Sequence, residues 1–202
     1  MSINLKKGQK INLTKGGGNG LRKIRVGLGW DEVSHGFLSS LFGKKEEIDC
    51  DASVLLCQSD GKMHGASIND CCLFYNNTKM FDGALVHSGD NLTGGSTGDD
   101  ETILVDLQRI PSKITKMVFV VNIYDADVRK QHFGMVKNAY IRLIDMSNDT
   151  EICRFNLSDN YDKMTGLIVA EIYQRDGEWK FNAIGQPVKE ASRISNLIEY
   201  YI

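Results

Sequence analysis

Apolar residues recur at every second position through most of the chain, in short runs bounded by Gly, Asp, Asn and Ser. That is the period of a half-buried strand, not of a helix. Ile24, Val26, Leu28 and Trp30 alternate across residues 23–30, and Trp179, Phe181 and Ala183 alternate after the hairpin turn Arg175-Asp176-Gly177-Glu178. The same pattern predicts strands at 51–58, 70–75, 102–107, 139–145, 151–157 and 166–174, with an edge strand at 10–13. Residues 117–124 are almost unbroken in apolar character, which predicts a central strand covered on both faces. Helical spacing is confined to 126–137 and to 188–200, where Ile194, Leu197 and Ile198 share one stripe behind Pro187 and are expected to dock on the strands. Roughly eight to ten short strands punctuated by turns predict an all-β fold, an antiparallel sandwich or barrel with short peripheral helices, one of them C-terminal.

Composition narrows the function classes. The 202 residues suit a single domain spanning 1–202, large enough for a substantial core. A net charge of −2 supplies no basic field for nucleic acid or an anionic membrane, and the first residues carry no apolar run of signal or membrane-spanning length, so a cytoplasmic protein is expected. Five cysteines without a C-x-x-C pair suggest neither a disulfide framework nor a zinc ribbon.

The departure from this ordinary picture is residues 89–101, GDNLTGGSTGDDE, in which four carboxylates, a carboxamide and three hydroxyls are interleaved with four glycines. No lysine or arginine occurs between Lys79 and Arg109, although Asp82, Asp90, Asp99, Asp100, Glu101 and Asp106 all do. Crowded carboxylates repel one another, so a positive partner is expected, and a hard cation such as calcium takes 6–8 oxygens in the irregular geometry that glycine hinges permit. The spacing matches neither an EF-hand nor a phosphate-binding loop. Magnesium suits a ligand-rich, glycine-hinged loop less well, and zinc lacks nitrogen and sulfur donors there beyond His87. A solvated acidic turn is the plain alternative.

Two other motifs carry acids. GLGWD ends in Asp31, and Asp49-Cys50-Asp51-Ala52-Ser53 opens the next strand with Asp49, Asp51 and Ser53 on one face. If these strands form a hairpin, and if 76–101 is one irregular excursion, Asp31, Asp49, Asp51, Asp90, Asn91, Asp99, Asp100 and Glu101 converge at one end. A strand at 84–87 would instead carry the acidic loop to the opposite end.

GLGWD, D-x-D-A-S, LFYNN, HSGDNLTG and GDDE, followed in order by VNIYDADVRKQHFGMVKNAYIRL and GEWKFNAIGQ, resemble the TerD family of bacterial tellurite-resistance and general-stress proteins over essentially the whole chain. The resemblance implies a β-sandwich that binds calcium, generally two ions, through Asp-rich loops, has no established catalytic activity, and works with partner proteins of a stress-response complex. An insert at 34–47, with Phe37, Leu38, Leu41 and Phe42 beside Lys44 and Lys45, departs from the family pattern. It supplies the case for an alternative, calcium-dependent docking to a membrane or a phosphorylated partner. The other alternative, a metal-dependent hydrolase, has no nucleophile motif to complete it; His35, His64, His87 and His132 are scattered.

Overall fold

The computed structural model describes residues 2–14, 20–32, 48–89, 98–157 and 161–202. Asp90, Asn91 and the 34–47 insert lie outside the described residues. The strands are β1 (Ile3–Leu5), β2 (Lys10–Asn12), β3 (Lys23–Glu32), β4 (Cys50–Cys57), β5 (Cys72–Leu73), β6 (Lys79–Met80), β7 (Leu85–His87), β8 (Glu101–Asp106), β9 (Lys116–Ile123), β10 (Val136–Asp145), β11 (Thr150–Asn156), β12 (Gly166–Arg175) and β13 (Glu178–Val188). Sheet A runs β1-β11-β10-β3-β8-β7-β6 and sheet B runs β2-β13-β12-β9-β4-β5. Pairing is antiparallel except where β1 lies parallel to β11.

The inward faces of both sheets share one core. Ile24, Val26, Leu28 and Trp30 of β3 meet Ala52, Val54 and Leu56 of β4 and Met117, Phe119 and Val121 of β9. Strand β9 is central in sheet B and covered on both faces, as its apolar run predicts. Its outward Val118 and Val120 join Leu55, Ile168, Val188 and Leu197 in a second cluster. The C-terminal helix α3 (Ile194–Ile198) covers that cluster, and fully burying Leu197 contributes about 2 kcal/mol.

Several local expectations give way to pairing. Strand β3 and strand β4 lie in opposite sheets, so they form no hairpin: each apolar face needs an opposing layer, and theirs oppose each other. Residues 70–75 contain only the two-residue β5, because Ser67 and Asp70 cap a helical turn α1 (Ile68–Cys71) in which the Ser67 N–H donates to Asp70 Oδ2 at 3.1 Å. The helix expected over 126–137 is one turn, α2 (Ala126–Arg129), bounded by left-handed Asp125 and Lys130, and its last residues are drawn into β10. Residues up to Val188 remain strand because Val188 pairs with Gly166, which delays the last helix to α3.

Residues 84–87 do contain a strand, β7, yet the described stems of the acidic segment, at 88–89 and 98–101, keep the expected end. The short β6 precedes β7 and runs against it, so two reversals are added and the direction is restored.

Candidate functional site

Three backbone features build the acidic end of the sandwich. The first is the bare outward face of β3. Inward Leu28 and Trp30 alternate with outward Gly27, Gly29 and Asp31, and the two glycines leave a trough on sheet A. The Asp99 carboxylate lies over Gly27, where any Cβ would collide with it, and the Tyr140 ring lies over Gly29, at 2.5 Å from where a Cβ would stand. This is the physical content of the GLGWD motif.

Asp99 has protein counter-charge. Arg142 Nε and Nη2 donate to its two oxygens at 2.7 and 3.1 Å, and the Tyr140 hydroxyl donates to Oδ1 at 2.9 Å. The Asp99 side chain is only 5 % exposed. The hydrogen bond to Asp99 holds Arg142 well above its ordinary pKa, and burial, with the Asp99 hydrogen bond second, pushes the Tyr140 phenol up to about 12. The Arg154 guanidinium stacks on the phenol ring, 3.5 Å from its centroid. The positive partner expected for the acidic stretch is thus supplied in part by the chain itself. Gly27→Ala should destabilise the protein by about 1–2 kcal/mol in urea titration, because Asp99 is pinned and cannot yield. Gly98→Ala, with no atom of the described residues within 4 Å of where its Cβ would stand, should fall within about 0.5 kcal/mol of the parent; equal costs would remove the trough argument.

The second feature is the entry into β8. The Asp100 N–H donates to the Leu28 carbonyl and the Trp30 N–H donates to Asp100 Oδ2, both at 2.8 Å, so one residue extends the β3–β8 ladder with backbone and side chain together. Glu101 then points between the sheets and is 1 % exposed. Its Oε2 accepts the Ala52 N–H of β4 at 2.7 Å. His87 of β7, 3 % exposed, reaches the same residue with Nε2 at 3.0 Å from the Ala52 carbonyl, and its Nδ1 accepts the Gly89 N–H at 3.1 Å. That acceptor role assigns the proton to Nε2, which donates to Ala52. Nε2 also lies 3.6 Å from Glu101 Oε2. Two side chains of sheet A therefore satisfy both backbone groups of one sheet-B residue beyond the reach of β5, which pairs only with Val54 and Leu55.

The third feature is the turn after β9. Asp49 lies 3.6 Å from Arg129 of α2, whose guanidinium sits 5.4 Å from the Tyr124 ring centroid. Asp51 pairs in register with Asn122, whose Nδ2 donates to Asp51 Oδ2 at 3.3 Å. Asp31, exposed at the end of β3, accepts from Asn138 Nδ2 at 2.7 Å. Asn138 sits in the β10 bulge at φ 52, a conformation asparagine tolerates.

The six described carboxylates thus reach one end of the sandwich but divide among its sides. Asp31 and Asp99 lie outside sheet A, Glu101 lies between the sheets, and Asp51 lies outside sheet B. Among the described residues, no three Asp, Glu, His or Cys side chains form a group able to hold a metal ion. Asp90 and Asn91 remain outside the described residues. Sequence reasoning missed Arg142, Tyr140, Asn122 and the bridging role of His87. The i, i+2 spacing of Tyr140 and Arg142, on the face of β10 opposite Ile141 and Leu143, was the available signal.

A TerD domain model matches residues 1–201. The chain belongs to the TerD family. It is 49 % identical to the stress response protein SCP2 of Bacillus subtilis (strain 168) over the whole of both chains. It is also 40 % identical to the tellurium resistance protein TerD of Serratia marcescens, over 92 % of this chain and 91 % of that one. In fold, this TerD-family chain is similar to the crystal structure of a telluride resistance protein (TerD) homologue from Streptomyces coelicolor A3(2). That likeness has a TM-score of 0.62 at 20 % identity and covers 85 % of this chain and 92 % of that one. No helix among the described residues is long and apolar enough to cross a membrane.

Proposed function

We propose that this TerD-family protein is a cytoplasmic, calcium-binding and non-catalytic sandwich that acts as an ion-responsive interaction module in resistance to tellurite or other stress. One observation carries the reading: Asp100, Glu101 and His87 anchor both stems of the acidic segment to the two sheets, at the end where Asp31 and Asp49 also lie. The family membership and the names of the relatives support the stress role.

The donor chemistry fits a hard cation, since every candidate ligand is an oxygen. The described donors alone are not a coordination sphere, so the reading assigns the remaining oxygens to Asp90, Asn91 and the carbonyls around them. The backbone N–H engaging Asp100, and likewise Glu101, takes one oxygen of a group with several lone-pair sites, which is compatible with a second role as ligand. Asp99, held on both oxygens by Arg142, fits that role least. A bound ion would neutralise the segment and fix its shape, and partner proteins of a stress complex would read that shape.

Other side chains favour a binding protein over an enzyme. His87 is committed to Ala52 and Gly89, not to a substrate. All five thiols are buried, and burial pushes Cys57 up to about 11 and Cys153 up to about 12, so reactive thiolate is scarce at neutral pH. Calorimetric titration with calcium tests the proposal. Binding heat is expected from the parent, weakened at least tenfold by Asp100→Ala and unchanged by Asp145→Ala. Asp145 pairs with Ile24 at the other end of β3, roughly 20 Å away along the strand. Absence of heat, or equal effects of the two substitutions, would overturn the assignment.

A further inference from the structure

The outer face of sheet B carries a cavity of about 310 Å³ beside α3. Its floor is Asp51 and Ser53 of β4 and Asn122 of β9, brought side by side by the Asp51–Asn122 register and the outward phase of both strands. Its walls are Phe74, Tyr75 and Tyr124, with Ile68 and Ile194 at the rim. The Phe74 and Tyr75 rings meet edge to face, 5.5 Å apart at 87°, which gives a rigid aromatic surface.

The floor is rich in acceptors. Asn122 is 1 % exposed; its Nδ2 donates to Asp51, and its buried Oδ1 has no hydrogen-bond partner among the described residues. A buried carbonyl without a donor is destabilising, and such a group on a residue that lines a cavity calls for a donor from outside. Beside it stand the Asp51 carboxylate, 7 % exposed, and the Ser53 hydroxyl, which also accepts. Arg193 at the mouth is turned to Asp125 at 3.2 Å, so its charge is offset locally.

We propose that this cavity binds a small organic cation, an ammonium or guanidinium head on an apolar stem. The head, which has donors and no acceptor, bonds Asn122 Oδ1 and the Asp51 carboxylate. The stem lies against Phe74, Tyr75 and Ile194, and the aromatic faces add cation–π attraction. The volume falls at the lower end of the range of ligand pockets, about 300–1,000 Å³, so the occupant is a single short chain.

Titration of the full-length protein with n-pentylammonium, followed by NMR in EGTA, tests the inference, with 1-pentanol as the neutral match of stem length. Saturable shifts at the Asn122 side-chain amide and the Ile194 methyls are expected, with pentylammonium at least tenfold tighter than pentanol. Asn122→Leu should weaken pentylammonium about tenfold and pentanol by less, as loss of one charge-assisted hydrogen bond against one neutral one requires. Ile194→Trp, which fills the mouth without touching the floor, should weaken both and leave the calcium titration at its parent value. Nα-acetyl-lysine methylamide separates the two sources of such a head. Tighter binding than pentylammonium identifies a lysine of a partner protein as the occupant, and weaker binding identifies a free amine. Equal affinity for pentanol, retention of binding in Ile194→Trp, or no saturable shift, meaning that water alone serves Asn122, would each overturn the proposal.

Discussion

Removing calcium with EGTA should lower the melting temperature by roughly 5–10 °C from its value at a hundredfold excess over the dissociation constant. The size follows from mass action. A ligand that binds only the folded state at that excess contributes about 2.7 kcal/mol, and in a chain of this length each kilocalorie moves the midpoint by about 2–4 °C. The loss should concentrate at the acidic end, so amides near Gly98 and Ser88 should lose hydrogen-exchange protection before those of β9. Readdition of calcium should restore the midpoint, and magnesium at equal concentration should restore less of it. A melt that is identical with and without EGTA would remove calcium from the account of this protein.

Glu101→Ala should cost about 3 kcal/mol of folding free energy in urea titration, and the cost should persist in EGTA. The carboxylate bridges the two sheets at their acidic end, and its loss strips a buried N–H of Ala52 of its acceptor while opening a void between the layers. His87 keeps its bond to the Ala52 carbonyl, so the edge of β4 is weakened and not released. Glu101→Gln retains an acceptor oxygen and should cost less than half as much. If the Ala variant loses stability only when calcium is present, Glu101 acts through the ion and the bridging role is wrong.

These two experiments separate roles that residues 98–101 fuse. Asp99 pins the outside of sheet A through Arg142, Asp100 completes the β3 ladder, and Glu101 joins sheet A to sheet B. Three consecutive acids serve three sides of the sandwich because β8 begins only at Glu101: strict alternation would put Asp99 and Glu101 on one face, whereas the backbone before the strand turns Asp99 out over Gly27. Glycines at 27 and 29 are part of the same construction, since they make room for Asp99 and Tyr140.

The chain's own pattern of apolar and polar positions determined the strand content, the doubly covered β9, the edge position of β2, the presence of a C-terminal helix and the oxygen-rich chemistry of 89–101. These depend on local period and composition, which each segment carries by itself. Only the tertiary structure decided that β3 and β4 face each other across the core, that Arg142 neutralises an aspartate 43 residues away, and that Asn122 shares a cavity floor with Asp51. Alternation says which face of a strand is buried but not which strand lies beside or opposite it. Charge partners and cavities are made by that choice, so they appear only once the two sheets are stacked.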